Sequence, residues 1–472
     1  MAEVHALADF VARARFEDLS NEALDQLKIR VLDTIAVGIG ALDAIPIAAI
    51  RDLTAELGGA PLCTLIGGGK TAPDRAAFLN GALTRYLDFM DSYLAPRETC
   101  HPSDNLAAVL AAAEMCSASG ADFLAALAVA YQVQTRLSDV APVRDKGFDH
   151  TTQGAYAAAA GVAKAFALPR DQIANAIAIS GTANNALRVT RTGALSHWKG
   201  LAYPNTAMAA THAALLAAHG ISGPALVFEG NKGFKDTIAG PFEIDWSKED
   251  LERVRLTIVK KHNAEIHSQS AIDAVLEIRA QPGFSADAVR AVRLRTFHAA
   301  YQIIGGGEEG DKHIVRTKEE ADHSLPYILA VALIDGEVQP EQYAPARILA
   351  RDVQQLLRKV SVAEDADLSA RFPKQMPAEL QVELEDGTTL QAVRDAYHGF
   401  HTDPFDWKAA RAKFDRVAGA VANAAERDAI AQAVATLDQH GSVLDLTDLL
   451  GNVSAMRRRK DFASLRAGRA VR

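Results

Sequence analysis

The sequence predicts a mainly α protein, a large all-helical domain joined to a smaller α+β domain. Three observations carry that expectation. Hydrophobic residues make up 49% of the 472-residue chain, yet aromatics supply only 6%. Such a core is filled by small aliphatic side chains, and alanine combines high helix propensity with little bulk. Helix-period patterns follow one another through the first half with no strands between them, which speaks against a dinucleotide-binding βαβ fold. After about residue 268 the apolar period changes to two.

Ser20-Asn21-Glu22 opens a helix whose Leu24, Leu27, Val31 and Ile35 fall at helical spacing. Ala107–Ala118 and Leu124–Leu137 predict two more. Gly154–Leu168 ends before Pro169, and Thr206–His219 ends at Gly220, a C′ glycine. In residues 291–298, Val292, Leu294 and Thr296 alternate with Arg293, Arg295 and Phe297, which is a strand period. Lys359–Ala363 is a second strand, and Asp386-Gly387 inside residues 380–393 marks a hairpin. Helices at Ser270–Ala280 and Ser324–Ile334 sit among these strands. Beyond Pro404 the chain is helical again, with Trp407, Ala410, Phe414 and Val417 on one face. The division is therefore 1–267 helical, 268–403 α+β, and 404–472 helices returning to the first domain.

Composition narrows the function. Fifty Lys plus Arg against 59 Asp plus Glu give a net charge of −9, which argues against a nucleic-acid partner but leaves room for a basic pocket. Cys63, Cys100 and Cys116 form neither a disulfide framework nor a CxxC pair, so a reducing compartment fits and a zinc or iron–sulfur site does not. The N-terminus lacks a signal-peptide pattern. Leu201–Phe228 has no Asp, Glu, Lys or Arg, but Pro204, Asn205, His212, His219, Gly220 and Pro224 interrupt it, so a buried helix is expected and no membrane span. Gly67-Gly68-Gly69-Lys70 lacks the spacing of a phosphate loop and reads as a turn. Gly305-Gly306-Gly307, followed by acidic residues after a strand, reads as a flexible loop. The Arg457-Arg458-Arg459-Lys460 run reads as a solvated helix end.

Five polar islands interrupt the apolar pattern: residues 85–105, 145–153, 188–200, 260–270 and 322–327. In the first, Asp88 and Ser92 share a face if the segment is helical. Ser103 and Asp104 are expected to cap the next helix, and His101 sits in the loop before it. His150 precedes another Ala-rich helix. Arg188, Arg191, His197 and Lys199 adjoin the most apolar segment of the chain, where an unpaired charge is costly. Residues 260–270 lie at the domain boundary, a favoured place for a site. Asp322 or Ser324 is a cap for the last island. No GxSxG or HExxH pattern occurs. Histidines, lysines, a tyrosine and aspartates without a metal or nucleotide motif suit proton abstraction next to a carboxylate, with protonation of a departing hydroxyl.

At these islands the sequence resembles the MmgE/PrpD family, which includes 2-methylcitrate dehydratases and cis-aconitate decarboxylase. The resemblance runs in order through residues 31–41, 80–94, HPSDN (101–105), GFDHTTQGA (147–155), RTGALSHWKG (191–200), AEIHSQSAIDA (264–274) and DHSLPYILAVALIDG (322–336). It implies a helical domain with an α+β lid, a homodimer, and an active site between the domains. By motif matching, Asp88, His101, His150 and Lys199 would be catalytic, and Ser92, Lys261, His267 and Tyr327 would bind substrate. His101 or His150 would be the base or the acid. Lys199 would bind a carboxylate and stabilise enolate-like charge, and its removal would spare the fold. Asp88 would orient a histidine or share its proton. Ser92 keeps the hydroxyl where relatives often carry Thr, and Met90 stands where dehydratases often carry Asn. The expected function is a metal-independent, cofactor-free, cytoplasmic lyase that converts 2-methylcitrate to 2-methyl-aconitate. The alternatives are cis-aconitate decarboxylation, epimerisation of a related carboxylate, and a catalytically inactive dimeric binding protein.

Overall fold

The computed structural model describes residues 2–193 and 195–453. Helices α1 (Glu3–Arg13), α2 (Asn21–Gly40) and α3 (Ile45–Leu57) lead the chain. Ser20 caps α2 by accepting the Ala23 N–H on Oγ at 3.1 Å, and Leu27, Val31 and Ile35 are buried. The short pair β1 (Cys63–Thr64) and β2 (Lys70–Thr71) is joined through Gly67, Gly68 and Gly69, all at positive φ. That glycine cluster is a tight turn, as its spacing predicted.

Next come α4 (Pro73–Tyr86), the antiparallel pair β3 (Tyr93–Ala95) and β4 (Glu98–Cys100), and then α5 (Leu106–Met115), α6 (Gly120–Val140), α7 (Thr151–Ala165), α8 (Arg170–Ala183) and α9 (Trp198–Ala218). Small residues let these helices approach closely. A Cβ on Gly81 of α4 would lie 3.4 Å from Pro204 of α9. That proline lies inside α9, which was predicted to start only at Thr206. Proline removes one intrahelical hydrogen bond, but Ala202, Tyr203, Pro204 and Ala207 are all buried, and their packing carries the helix through. Gly220, at φ 87°, follows the end of α9 and divides the apolar stretch 201–228. No single helix among the described residues is long and apolar enough to cross a membrane.

A second hydrophobic core forms around α10 (Gln269–Arg279), the helix Leu325–Asp335 and a four-stranded sheet. The strands are β5 (Val289–Thr296), β6 (Val360–Glu364), β7 (Ala378–Leu384) and β8 (Thr389–Arg394), in the order β6-β5-β7-β8. β5 and β6 are parallel, and the other pairs are antiparallel. Val292, Leu294 and Thr296 face the core while Arg293 and Arg295 are exposed. Phe297 does not continue that alternation. β5 ends at Thr296, and Phe297 is buried against Phe372, with ring centroids 4.6 Å apart. Gly305-Gly306-Gly307 does not follow a strand; it closes a π-helical turn, Tyr301–Gly305.

Buried residues of the first core run from Val4 to Val259 and again from Phe405 to Val453. Those of the second core run from Ala264 to Ala392. The helix Trp407–Ala418 buries Ala410, Phe414 and Val417 in the first core, with Trp407 half-buried. The Arg457–Lys460 run lies outside the described residues.

Gly120, the first residue of α6, donates its N–H to the His440 carbonyl at 3.0 Å. A Cβ there would fall 1.7 Å from the Leu437 carbonyl oxygen, a rigid backbone atom. Gly120→Ala is expected to cost about 1–3 kcal/mol through overpacking. Denaturant unfolding checks this, and an unchanged midpoint would mean that the C-terminal segment is not seated on α6.

Candidate active site

A cleft of about 510 Å³ is lined by groups from both cores' segments of the chain. Arg85, Asp88, His101 and His150 come from the first, Glu265, His267 and His323 from the second, and Lys260 from the crossing between them. Four of the lining groups are histidines, so proton transfer is the chemistry its composition best serves.

Asp88 is where α4 breaks. The helix ends at Tyr86, and Asp88 adopts φ 52°, so the expected helical face shared with Ser92 does not form. The turn directs the Asp88 carboxylate into a cluster of cations. Lys260 Nζ lies 2.9 Å from Oδ1 and donates to the Asp88 carbonyl at 2.6 Å. Arg85 Nη1 lies 3.3 Å from Oδ1 and Lys199 Nζ 3.4 Å from Oδ2. Burial pushes the Asp88 pKa up, but Arg85, Lys260, Lys199 and His323 override it and hold the carboxyl well below its ordinary range. Asp88 is therefore an ionised hub.

Lys199, in the first turn of α9, is buried beside that hub. Its ammonium lies 3.1 Å from Asp322 Oδ1 and 2.9 Å from His323 Nδ1. Asp88, Asp322 and His323 form a donor cluster of the size that holds a metal ion. Lys199 Nζ already lies within 3.4 Å of a donor atom of each, so a cation belonging to the chain fills that position. Lys199 does not line the cleft itself. It stands behind Asp88 and His323 and faces a second cavity, of about 430 Å³, with Tyr86, His197 and Lys318.

His101 is fixed by its Nδ1, which lies 2.8 Å from the Asp91 carbonyl and 3.0 Å from Ser92 Oγ. A carbonyl only accepts, so Nδ1 carries the proton and the neutral ring keeps its lone pair on Nε2. Burial, with Arg85 and Lys260 nearby, pushes the His101 pKa well below the ordinary histidine value. The loop that presents it is held by Asp91, which accepts from the Ser103 N–H (3.1 Å), Ser103 Oγ (2.6 Å) and the Tyr131 hydroxyl (2.8 Å). Burial raises the Asp91 carboxyl to about 6. Ser103 and Asp104 are thus not helix caps, because α5 continues directly from the turn Pro102–Asn105. Ser103 braces Asp91, and Asp104 lies 3.8 Å from His150 Nε2.

His150 packs edge-on against His101, with ring centroids 5.4 Å apart. Its Nδ1 is 3.2 Å from Asp149 Oδ1. Burial raises the Asp149 pKa, but Arg191, at 2.6 Å, and its neighbours hold it low. His267 pairs through Nδ1 with Glu265 Oε1 at 2.7 Å, and its N–H donates to Glu265 Oε2 at 2.8 Å. Burial raises the Glu265 carboxyl, but His267 outweighs it and brings it to about 2. His267 Nε2 is buried and has no hydrogen-bond partner among the described residues.

Three expected substrate-binding residues do not line the cleft. Ser92 is fully buried and reaches it only through His101. Lys261 pairs with Asp273 at 2.8 Å. Its neighbour Lys260 faces the cleft instead; the chain bends at Lys261, whose N–H donates to Gln269 Oε1 at 2.9 Å. Tyr327 is buried in the second core, where its hydroxyl donates to the Gln342 carbonyl. Ser324, not Asp322, caps that helix, accepting the Tyr327 N–H at 3.1 Å.

Arg85, Glu98, Lys260, Glu265, Glu309 and His323 were not singled out from the sequence. All but Glu309 lie inside the polar islands, at most three residues from a chosen one. Glu309 comes from the glycine-rich stretch that was read only as a flexible loop.

The MmgE/PrpD N-terminal domain model matches residues 5–247, and the MmgE/PrpD C-terminal domain model matches residues 262–439. The chain is 29% identical over 426 residues to the 2-methylcitrate dehydratase of Cupriavidus necator, covering 83% of this chain and 84% of that one. It is 26% identical to a protein of Yarrowia lipolytica named mitochondrial 2-methylcitrate dehydratase, covering 84% and 79%. It is 29% identical to the alkylcitrate dehydratase phiI of a fungal species, covering 73% of each chain.

Proposed function

The chain belongs to the MmgE/PrpD family, and from that premise we propose that it is a hydro-lyase that dehydrates a citrate-like polycarboxylate, with 2-methylcitrate as the substrate and 2-methyl-aconitate as the product. The observation that carries this reading is the tautomer of His101, whose Nδ1 is tied to a carbonyl while Nε2 belongs to a depressed, neutral ring on the wall of the cleft.

His101 Nε2 takes a proton from the carbon next to a substrate carboxylate. The electrons of that C–H bond form the carbon–carbon double bond as the neighbouring C–O bond breaks. His267 Nε2, whose ring is oriented by Glu265, delivers a proton to the departing hydroxyl, which leaves as water. His150 lies against the base and lends it a second proton carrier. Lys199 fixes Asp88 and His323, and so positions the site rather than gripping substrate. The same reading makes the protein a cytoplasmic homodimer acting on a small-molecule substrate, with neither nucleic acid nor membrane as partner. Light scattering of the purified protein checks the dimer.

The test is turnover of a panel that includes 2-methylcitrate, citrate, longer alkylcitrates and cis-aconitate, with and without chelator. Loss of one water from 2-methylcitrate, insensitive to chelator, is expected. CO₂ from cis-aconitate would favour the decarboxylase, and chelator sensitivity would contradict a metal-free site. Binding without turnover of any substrate would leave a non-catalytic binding protein.

A pH profile tests the base. Because His101 is depressed in the folded enzyme, it keeps its lone pair below the ordinary histidine pKa of 6.5. kcat/KM is expected to hold as pH falls through 6.5 and to drop only at lower pH. The same depression means that the unfolded chain binds the proton first, so this group's contribution to stability declines as pH falls through 6.5. An activity inflection centred at 6.5 or above would contradict His101 as the base.

A further inference from the structure

We propose that Arg144 and Arg188 form the subsite for one carboxylate of the substrate, and that Glu309 of this chain is a stand-in that the substrate carboxylate displaces. The inference rests on the polycarboxylate reading above.

Glu309 Oε1 lies 2.8 Å from Arg188 Nη2 and 3.2 Å from Arg144 Nη2, and its side chain is only 4% exposed. All three groups line the cleft that contains His101 and His267. The two arginines are anchored through their backbones. Glu98 Oε2 accepts the N–H groups of Val143 and Arg144, both at 3.1 Å, and the Arg188 N–H donates to the Gly147 carbonyl at 2.9 Å. Arg188 also lies 3.9 Å from Asp149.

The acid's backbone is anchored too, its N–H donating to the Gln302 carbonyl at 3.1 Å. It sits in the stretch Gly305-Gly306-Gly307-Glu308-Glu309-Gly310, between Gly306 at φ 109° and Gly310 at φ 88°. Glycines adopt such angles without a Cβ penalty. With the Glu309 backbone held as well, the exchange needs only its side chain to swing away about its own bonds while the arginines stay.

Charge makes the exchange specific. Each guanidinium presents several donors in a fork, and a single Glu309 oxygen engages one nitrogen from each. A substrate carboxylate that entered beside Glu309 would bring like charges together in a partly dry site. A carboxylate that replaces it keeps the charge balance and gains the unused donors. Neutral analogues lack that exchange, so the latch selects for anionic ligands.

The experiment measures citrate binding by calorimetry and 2-methylcitrate kinetics on the full-length protein. Glu309→Gln is expected to tighten citrate about tenfold and to lower KM in step, because the competing carboxylate is gone. Arg188→Gln is expected to weaken citrate at least about tenfold in both the wild-type and the Glu309→Gln background. Glu308→Gln, on the exposed neighbour in the same loop, controls for net charge. Should Glu309→Gln fold poorly, Glu309→Ala carries the same expectation. Unchanged or weaker citrate binding in the Glu309 variants overturns the proposal, as does equal tightening by Glu308→Gln or failure of the wild type to bind any polycarboxylate. A wild type that dehydrates 2-methylcitrate without the Glu309 effect refutes the subsite alone. A Glu309 effect on citrate binding without dehydration refutes the proposed reaction alone.

Discussion

Replacing His101 with glutamine is expected to lower kcat by about 10²–10⁴-fold, the range associated with loss of a positioned general base. The amide of glutamine can still donate to the Asp91 carbonyl, so the hydrogen bond that fixes the ring has a partial substitute. His101 is neutral in the folded protein, because burial and the nearby Arg85 and Lys260 disfavour its charged form. Its removal therefore strands no buried charge, and the unfolding midpoint should move little. The result is a split between activity and stability. A kcat within tenfold of wild type would remove His101 from the mechanism. An equal collapse of stability would assign it a structural role. Ser92→Ala provides the graded companion: it removes one of the two partners of His101 Nδ1 and leaves the other, so a smaller loss of kcat is expected.

Lys199→Met is expected to cost both activity and stability. The sequence alone suggests a cation that meets substrate and could be removed without harm to the fold. The structure instead places the ammonium between two buried carboxylates, Asp88 and Asp322. Removing one partner of a buried ion pair costs about 3–5 kcal/mol, because the charge left behind is not compensated. Here the lower end applies. Asp88 keeps Lys260 and Arg85, and Asp322 keeps Lys318 at 2.8 Å. Activity should fall by at least about 10²-fold, comparable to the loss of a preorganised electrostatic group. Urea unfolding measures the first effect and steady-state kinetics the second. A variant of unchanged stability would mean that Lys199 is not the counter-ion of this cluster.

The contrast between those two residues shows what the sequence could and could not reveal. Helical periodicity, caps and the Asp386-Gly387 hairpin are local signals, and α2, α6 and β7–β8 lie where those signals put them. Pro204 shows where a local rule lost to packing. Chemistry-bearing histidines were visible because they interrupt apolar patterns, and His101, His150 and His267 do meet in one cleft. Which of two neighbouring lysines faces that cleft depends on backbone direction, and Lys260 rather than Lys261 was decided by the Gln269 side chain, which accepts the N–H groups of both Lys261 and His262 at 2.9 Å. Glu309 was hidden for a related reason. Its partners Arg144 and Arg188 lie more than 100 residues away, and no local pattern encodes that meeting.

The most direct test is to incubate the wild-type protein with 2-methylcitrate in deuterated water containing chelator, beside the His101→Gln protein, and to follow both by NMR. The account predicts an unsaturated tricarboxylate with every carbon of the substrate retained, formed by the wild type and nearly absent with His101→Gln. Release of CO₂, or product that His101→Gln forms as fast as wild type, would contradict it.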